Sequence, residues 1–205
     1  MYVPNHFKSQ SLEQVKAFIK ENSFAILISY QEGKPVATHI PLILVEKPEG
    51  KQVLWGHVSK ANPQWKNIEA QEEVLAIFSG PHTYVSSSWY NHPNVPTWNY
   101  IAVHVYGKVK IMEGDALYES VETLVEKYEA GSQPRFHMKD LPEADLKRQM
   151  RGITGLEMSV ERIEASFKLS QNRNPEDFQN VINQLEKRGD AHSIEIAEEM
   201  RKLKE

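Results

Sequence analysis

VPTWNYIAVHVYGKVKIM, residues 95–112, decides the fold class, because Val103, Val105, Gly107, Val109 and Ile111 recur at every second position. That period belongs to a half-buried β-strand, and the spacing predicts one long strand over 101–112. Pro96 restricts how Thr97, Trp98, Asn99 and Tyr100 lead into it. His104 shares the strand parity of Ala102 and Tyr106, opposite the valine face.

Working outward, residues 24–30 and 36–45 read as a hairpin turned at Gly33, with Ala37, His39 and Pro41 on one side of the second run. A third strand follows over 52–58, after turn residues Pro48 and Gly50. Two further strands, 74–79 and 83–86, are expected on either side of Gly80 and Pro81, and another over 155–160. Helices are fewer. One starts at Ser11, with Gln14 in the capping-box position and Val15, Phe18 and Ile19 on its apolar face. A short one follows Asn62 and Pro63, packing Trp65 and Ile68 inward. The stretch 115–128 carries Leu117, Val121, Leu124, Val125 and Tyr128 on one face, and 130–142 reads as loop. Beyond residue 168, Asn174 and Pro175 open a helix with a stripe of Phe178, Val181, Ile182 and Leu185, ended by Gly189. Ile194, Ala197 and Leu203 suggest a weaker last helix. The expected architecture is mainly β with peripheral helices: a domain over 1–170 and a helical appendage over 171–205.

The chain has 205 residues, enough for a real core, with 40% hydrophobic and 25% charged side chains that exclude wholesale disorder. Its net charge of −4 predicts no strong general attraction to nucleic acid or acidic membrane. The absence of cysteine removes disulfide, thiolate-metal and cysteine-nucleophile chemistry. With no basic region leading an apolar run at the N-terminus and no membrane-length apolar stretch, a cytoplasmic protein without a membrane partner is expected.

Three polar constellations carry candidate chemistry. His57, Ser59, Lys60, Asn62 and Trp65 combine a cation with several donors at a strand-to-helix junction, which suits a phosphate; the ordinary alternative is a capping asparagine, a core tryptophan and a solvated lysine. Tyr84, Ser86, Ser87, Ser88, Trp89 and Tyr90 offer hydroxyls and flat rings to a planar ligand, with Ser86 and Ser88 sharing one face and Ser87 pointing away while the strand stays regular; the alternative is a loop cap and an interface. Trp98 and Asn99 could cover and hold a ring or simply fill the core. The region 81–106 that holds the last two groups contains no acid and no lysine, which disfavours a hydrolytic centre. Eight histidines show no HExxH spacing and no compact ligand set, so no metal is expected. Neither a phosphate-binding P-loop nor a helix-turn-helix is evident; Lys147, Arg148 and Arg151 form a modest basic cluster diluted by nearby glutamates.

Seven stretches in order, MYVPNHF (1–7), THIPL (38–42), GHVSKANPQW (56–65), YVSSSWY (84–90), VPTWNYIAVHVYG (95–107), GITGLEM (152–158) and KLSQNR (168–173), resemble the FMN-binding negative transcriptional regulator family, called PaiB-like. The resemblance implies an FMN-binding split β-barrel that forms a homodimer with FMN near the subunit interface. It implies a repressor affecting protease production and sporulation, with DNA or a regulatory protein as partner. His57, Ser59, Lys60, Asn62, Tyr84, Ser86, Ser88, Trp89, Trp98 and Asn99 become the expected FMN contacts, and no catalytic residue is named. The alternative is an FMN-dependent oxidoreductase of the flavin reductase or pyridoxamine-phosphate oxidase kind, in which the flavin performs the chemistry. Haem, which some split-barrel relatives bind through one axial histidine, is the alternative cofactor.

Overall fold

The computed structural model of the protein describes residues 1–8 and 11–203. Its strands are β1 (Phe24–Gln31), β2 (Lys34–Pro41), β3 (Ile43–Glu46), β4 (Gln52–Ser59), β5 (Val74–Val85), β6 (Thr97–Gly107), β7 (Val109–Met112), β8 (Ile153–Ser159) and β9 (Arg162–Lys168). Among the described residues these form a five-stranded sheet, β2-β1-β5-β6-β9, and a four-stranded sheet, β3-β4-β8-β7. Neither closes on itself, which overturns the split β-barrel. Helix and strand contribute 38% and 35%, so the chain is not mainly β either. Alternation identifies which residues form strands, but closure depends on whether the outermost strands pair, and local period does not encode that.

The chain divides into two units, and β5, β6 and β9 each change unit along their length, after Phe78, His104 and Ile163. The larger unit comprises Ile19–Phe78 and Val105–Ile163. Here the single run expected over 36–45 is two strands in different sheets. It breaks at Leu42, whose N–H donates to the Ser23 carbonyl at 2.8 Å. The run over 101–112 likewise divides at Lys108, and the reason is a close approach of backbones. A Cβ on Gly107 would lie 1.8 Å from the Ser159 carbonyl oxygen. The adjoining Lys108 N–H donates to Ser159 Oγ at 2.9 Å, and Ser159 N–H returns a bond to the Lys108 carbonyl at 2.8 Å. Only glycine fits there.

Helix α2 (Gly114–Glu129) packs Leu117 with Val53, Trp55 and Met112. Helix α3 (Glu143–Arg151) is absent from the sequence expectations, because EADLKRQMR offers only Leu146 and Met150 as large apolar residues. Its acids lie in the first turn and Arg148 and Arg151 in the last, the arrangement that complements a helix dipole.

The second unit comprises Met1–Phe18, Ser79–His104 and Glu164–Glu205. β5 runs on through Gly80 and Pro81, where a break was expected; its pairing with β1 covers only residues 75–77, so Pro81 lies beyond the stretch where β1 would require its missing N–H. Helix α4 (Pro175–Arg188) is capped by Asn174, whose Oδ1 accepts the Asp177 N–H at 2.8 Å, and ends on left-handed Gly189. Helix α5 (Ala191–Lys202) buries the expected Ala197 together with Ile196 and Met200, and leaves Ile194 and Leu203 exposed. No helix among the described residues is long and apolar enough to cross a membrane.

Candidate functional site

In the larger unit, alternation along β4 puts Trp55, His57 and Ser59 on one face. Trp55 Nε1 donates to the Glu157 carboxylate at 2.9 Å, and Lys47 Nζ pairs with the same group at 2.8 Å. Burial alone would raise the Glu157 pKa, but these two partners hold it below the ordinary value. His57 is half-buried; burial lowers its pKa below 6.5, favouring the neutral ring, and its Nδ1 lies buried without a hydrogen-bond partner.

The chain then turns. Ser59 Oγ accepts from the Ala61 N–H at 3.2 Å, and the Ser59 carbonyl from the Asn62 N–H at 2.9 Å. Asn62 accepts from the Gln64 N–H at 2.9 Å and donates to Thr38 Oγ1 at 2.8 Å, while Trp65 Nε1 donates to the Lys60 carbonyl at 3.1 Å. Asn62 and Trp65 therefore build the turn. The helix expected here is replaced by 3-10 turns over Pro63–Trp65 and Ile68–Ala70, too short to present a dipole and a row of amides to a phosphate.

Lys60 remains for that task. Its side chain is exposed and makes no ion pair among the described residues, and its backbone N–H donates to the Gly152 carbonyl at 2.9 Å. That bond and the pairing of Ser59 with Ile153 bring Arg151 beside it. Both cations line a cleft of about 710 Å³ together with the apolar Met112, Leu117 and Met150 and the acidic Glu113, Asp115 and Glu143. Arg151 was missed as a site residue because, in sequence, it belongs to the basic cluster of 147–151. The structure separates that cluster: Lys147 pairs with Glu143 and Arg148 with Asp145, leaving Arg151 without an ion pair among the described residues. The antiparallel strand preceded by GITGLEM's first glycine was the signal that could have found it.

The second unit holds the other expected residues. Tyr84 and Trp98 are 41% and 52% exposed, with ring centroids 6.0 Å apart, and His82 lies 6.3 Å from Trp98. Trp89 is half-buried beneath the Arg188 guanidinium at 4.6 Å; Arg188 also donates to Thr83 Oγ1 and the Tyr84 carbonyl at 2.9 and 2.8 Å. Because β5 stops at Val85, Ser86 and Ser88 do not share a strand face. Ser86 instead caps the 3-10 turn Ser87–Trp89, and its Oγ lies 2.8 Å from that of Ser88. Asn99 is fully buried: its Oδ1 accepts from Ser170 Oγ at 3.1 Å and its Nδ2 donates to Met200 Sδ at 3.6 Å. The structure thus gathers His57, Ser59, Lys60 and Asn62 at one turn and sets Tyr84 beside Trp98, while Asn99 is drawn into the interior.

An open two-sheet α and β chain with a cation and an apolar cleft at a strand end matches, over residues 1–162, the family described as "Putative FMN-binding domain", and the chain belongs to that family. The protein of Bacillus subtilis called "Protease synthase and sporulation protein PAI 2" is 44% identical over 200 residues, covering 98% of this chain and 96% of its own length. Among solved structures, an FAD and heme binding protein from Mycobacterium smegmatis superposes with a TM-score of 0.60 at 15% identity, covering 78% of this chain and 73% of the other. The flavocytochrome Anf3 from Azotobacter vinelandii gives 0.61 at 17%, covering 87% and 78%. These two are likenesses of fold.

Proposed function

We propose that this chain is an FMN-binding negative transcriptional regulator that affects protease production and sporulation, without turnover of its own. The observation that carries this reading is the 44% identity to the Bacillus subtilis protease synthase and sporulation protein across nearly the whole of both chains. Lys60 and Arg151 hold the FMN phosphate, Lys60 as a point charge and Arg151 as a planar fork, and Ser59 Oγ adds a donor. The residues fit a phosphate: two unpaired cations meet at one cleft, and the neighbouring His57 has a buried, unpartnered Nδ1. When bound, FMN supplies a redox-active ring; this chain's residues bind and orient it. The exposed Tyr84, Trp98 and Val95 form the seam of a homodimer, since aromatic side chains concentrate at such interfaces. DNA or a second regulatory protein receives the signal.

FMN and riboflavin titrations followed by fluorescence test the site. Affinity for FMN should exceed that for riboflavin, and Lys60→Ala and Arg151→Gln should each erase most of the difference; equal affinities in the natural protein would sink the phosphate reading. Promoter and scrambled duplexes, compared with FMN-loaded and apo-protein alongside an NAD(P)H oxidation assay, test the output. Steady turnover without promoter binding would favour the oxidoreductase.

A further inference from the structure

The KLSQNR stretch lies beyond the residues matched by the family model, and it places two cations at one corner of the second unit. Lys168 Nζ donates to Thr97 Oγ1 at 2.7 Å and stands 5.7 Å from the Phe7 ring. Arg173 lays its guanidinium 4.5 Å from the centre of the Tyr90 ring. Both cations are half-buried, and neither has an ion pair among the described residues. The nearby acids are committed elsewhere. Asp177, fully buried, accepts from the Asn91 N–H at 2.7 Å and lies 3.1 Å from His92 Nδ1, and Glu176 accepts from Asn91 Nδ2 at 2.6 Å. Two polar atoms of the corner, Tyr90 Oη and Arg173 Nε, are buried with no hydrogen-bond partner.

Like charges brought together in a half-buried place raise each other's cost, and unpartnered polar atoms add to it. Lys168 registers this: burial, and then the Arg173 charge, lower its pKa below 10.5. An oxyanion removes both costs at once, accepting from the ammonium and the guanidinium together.

We propose that Lys168 and Arg173 form an oxyanion-recognition site, with Thr97 and Tyr90 positioning the two cations, for the phosphate or carboxylate group of a small molecule. It is separate from the Lys60 turn in residues and does not depend on the FMN assignment. A planar fork and an ammonium side by side grip a tetrahedral phosphate more fully than a lone lysine.

The test is an NMR titration of the full-length apo-protein with inorganic phosphate and, separately, acetate, observing the Arg173 Nε–H and the Lys168 ammonium signals. Saturable shifts with phosphate or acetate are expected, weakened on the order of tenfold or more in Arg173→Gln and in Lys168→Met. Arg173→Lys keeps the charge and loses the fork, so it should retain part of the binding and guards against misfolding of the glutamine variant. Lys60→Ala should leave these shifts intact. FMN competing with phosphate for the corner in the Lys60→Ala protein would identify the flavin's own phosphate as the source, whereas phosphate binding indifferent to FMN would identify a separate metabolite. Absence of saturation with either anion, or binding in both corner variants as tight as in the natural protein, would overturn the site.

Discussion

Two pairs of cations stand in this chain under opposite conditions. Lys60 and Arg151 are exposed and line a cleft, while Lys168 and Arg173 are half-buried with a buried aromatic ring and a hydroxyl around them. Water screens the first pair, so its folding cost is small and its value lies in what it binds. The second pair is partly stripped of water, and it influences the stability of the fold even before a ligand arrives. A charged residue's part in function and its part in folding are thus separable here by exposure, and substitutions can test that separation.

The harshest test removes the frame of the exposed pair. β4 and β8 keep Lys60 beside Arg151, and β8 ends where Ser159 closes on Gly107. The obstacle at 1.8 Å is backbone and cannot rotate away, so Gly107→Ala should destabilise by about 3 kcal/mol or more. Urea unfolding followed by circular dichroism measures it. A loss below about 1 kcal/mol would mean that the close approach is soft and the register of the pair is not fixed there.

The matching frame of the half-buried pair is Asp177. It joins the start of α4, three residues after the capping Asn174, to Asn91 and His92. Asp177→Ala removes a fully buried carboxylate together with its bonds to the Asn91 N–H and the Asn174 side chain, and should cost about 2–4 kcal/mol by the same unfolding measurement. Asp177→Asn, which keeps an acceptor, should recover part of that loss.

Much of this frame was legible in the sequence, and the exceptions share a cause. The helix of α4 was readable because Asn174, Pro175, a stripe of Phe178, Val181, Ile182 and Leu185, and Gly189 each mark it locally. The switches of sheet at Leu42 and Lys108 were not, because alternation continues through both while the hydrogen-bond partner changes. Helix α3 escaped because two apolar residues among nine give no stripe. At the candidate site the turn of residues 59–62 was legible as a capped junction, but Arg151 comes to it from 91 positions away through the Lys60–Gly152 bond, and no spacing rule reaches that far. Asn99 looked like a ligand donor because sequence shows a side chain's chemistry and not its depth.

pH separates the two regions more gently. Lys168 has its folded-state pKa lowered by burial and by Arg173, so below that value the folded chain carries a charge that the unfolded chain carries more easily. Stability should therefore rise as pH climbs from the lowered folded value toward 10.5, and Lys168→Met should flatten that rise. On the acid side, burial lowers His57, so the unfolded chain takes up its proton first and stability should fall as pH drops below 6.5, levelling off beneath the folded value. Thermal unfolding across pH, compared between the natural protein, Lys168→Met and His57→Asn, reads both slopes. Identical alkaline slopes with and without Lys168 would place the two cation pairs on the same footing.

The smallest effect on folding is expected at Lys60. Its side chain is exposed and holds no ion pair among the described residues, and the turn around it is built by the Ser59 and Asn62 side chains, the Trp65 indole and the Lys60 backbone. None of these contacts uses the ammonium, so Lys60→Ala should change unfolding free energy by no more than about 0.5 kcal/mol. The same substitution should weaken FMN by about tenfold while leaving riboflavin unchanged, because a charge-assisted bond to the phosphate is lost. Calorimetric titration of both flavins against the variant, with its melting curve recorded alongside, decides the point. A stable Lys60→Ala protein that still prefers FMN as strongly as before would move the phosphate to another cation, and the Lys168–Arg173 corner would be the first place to look.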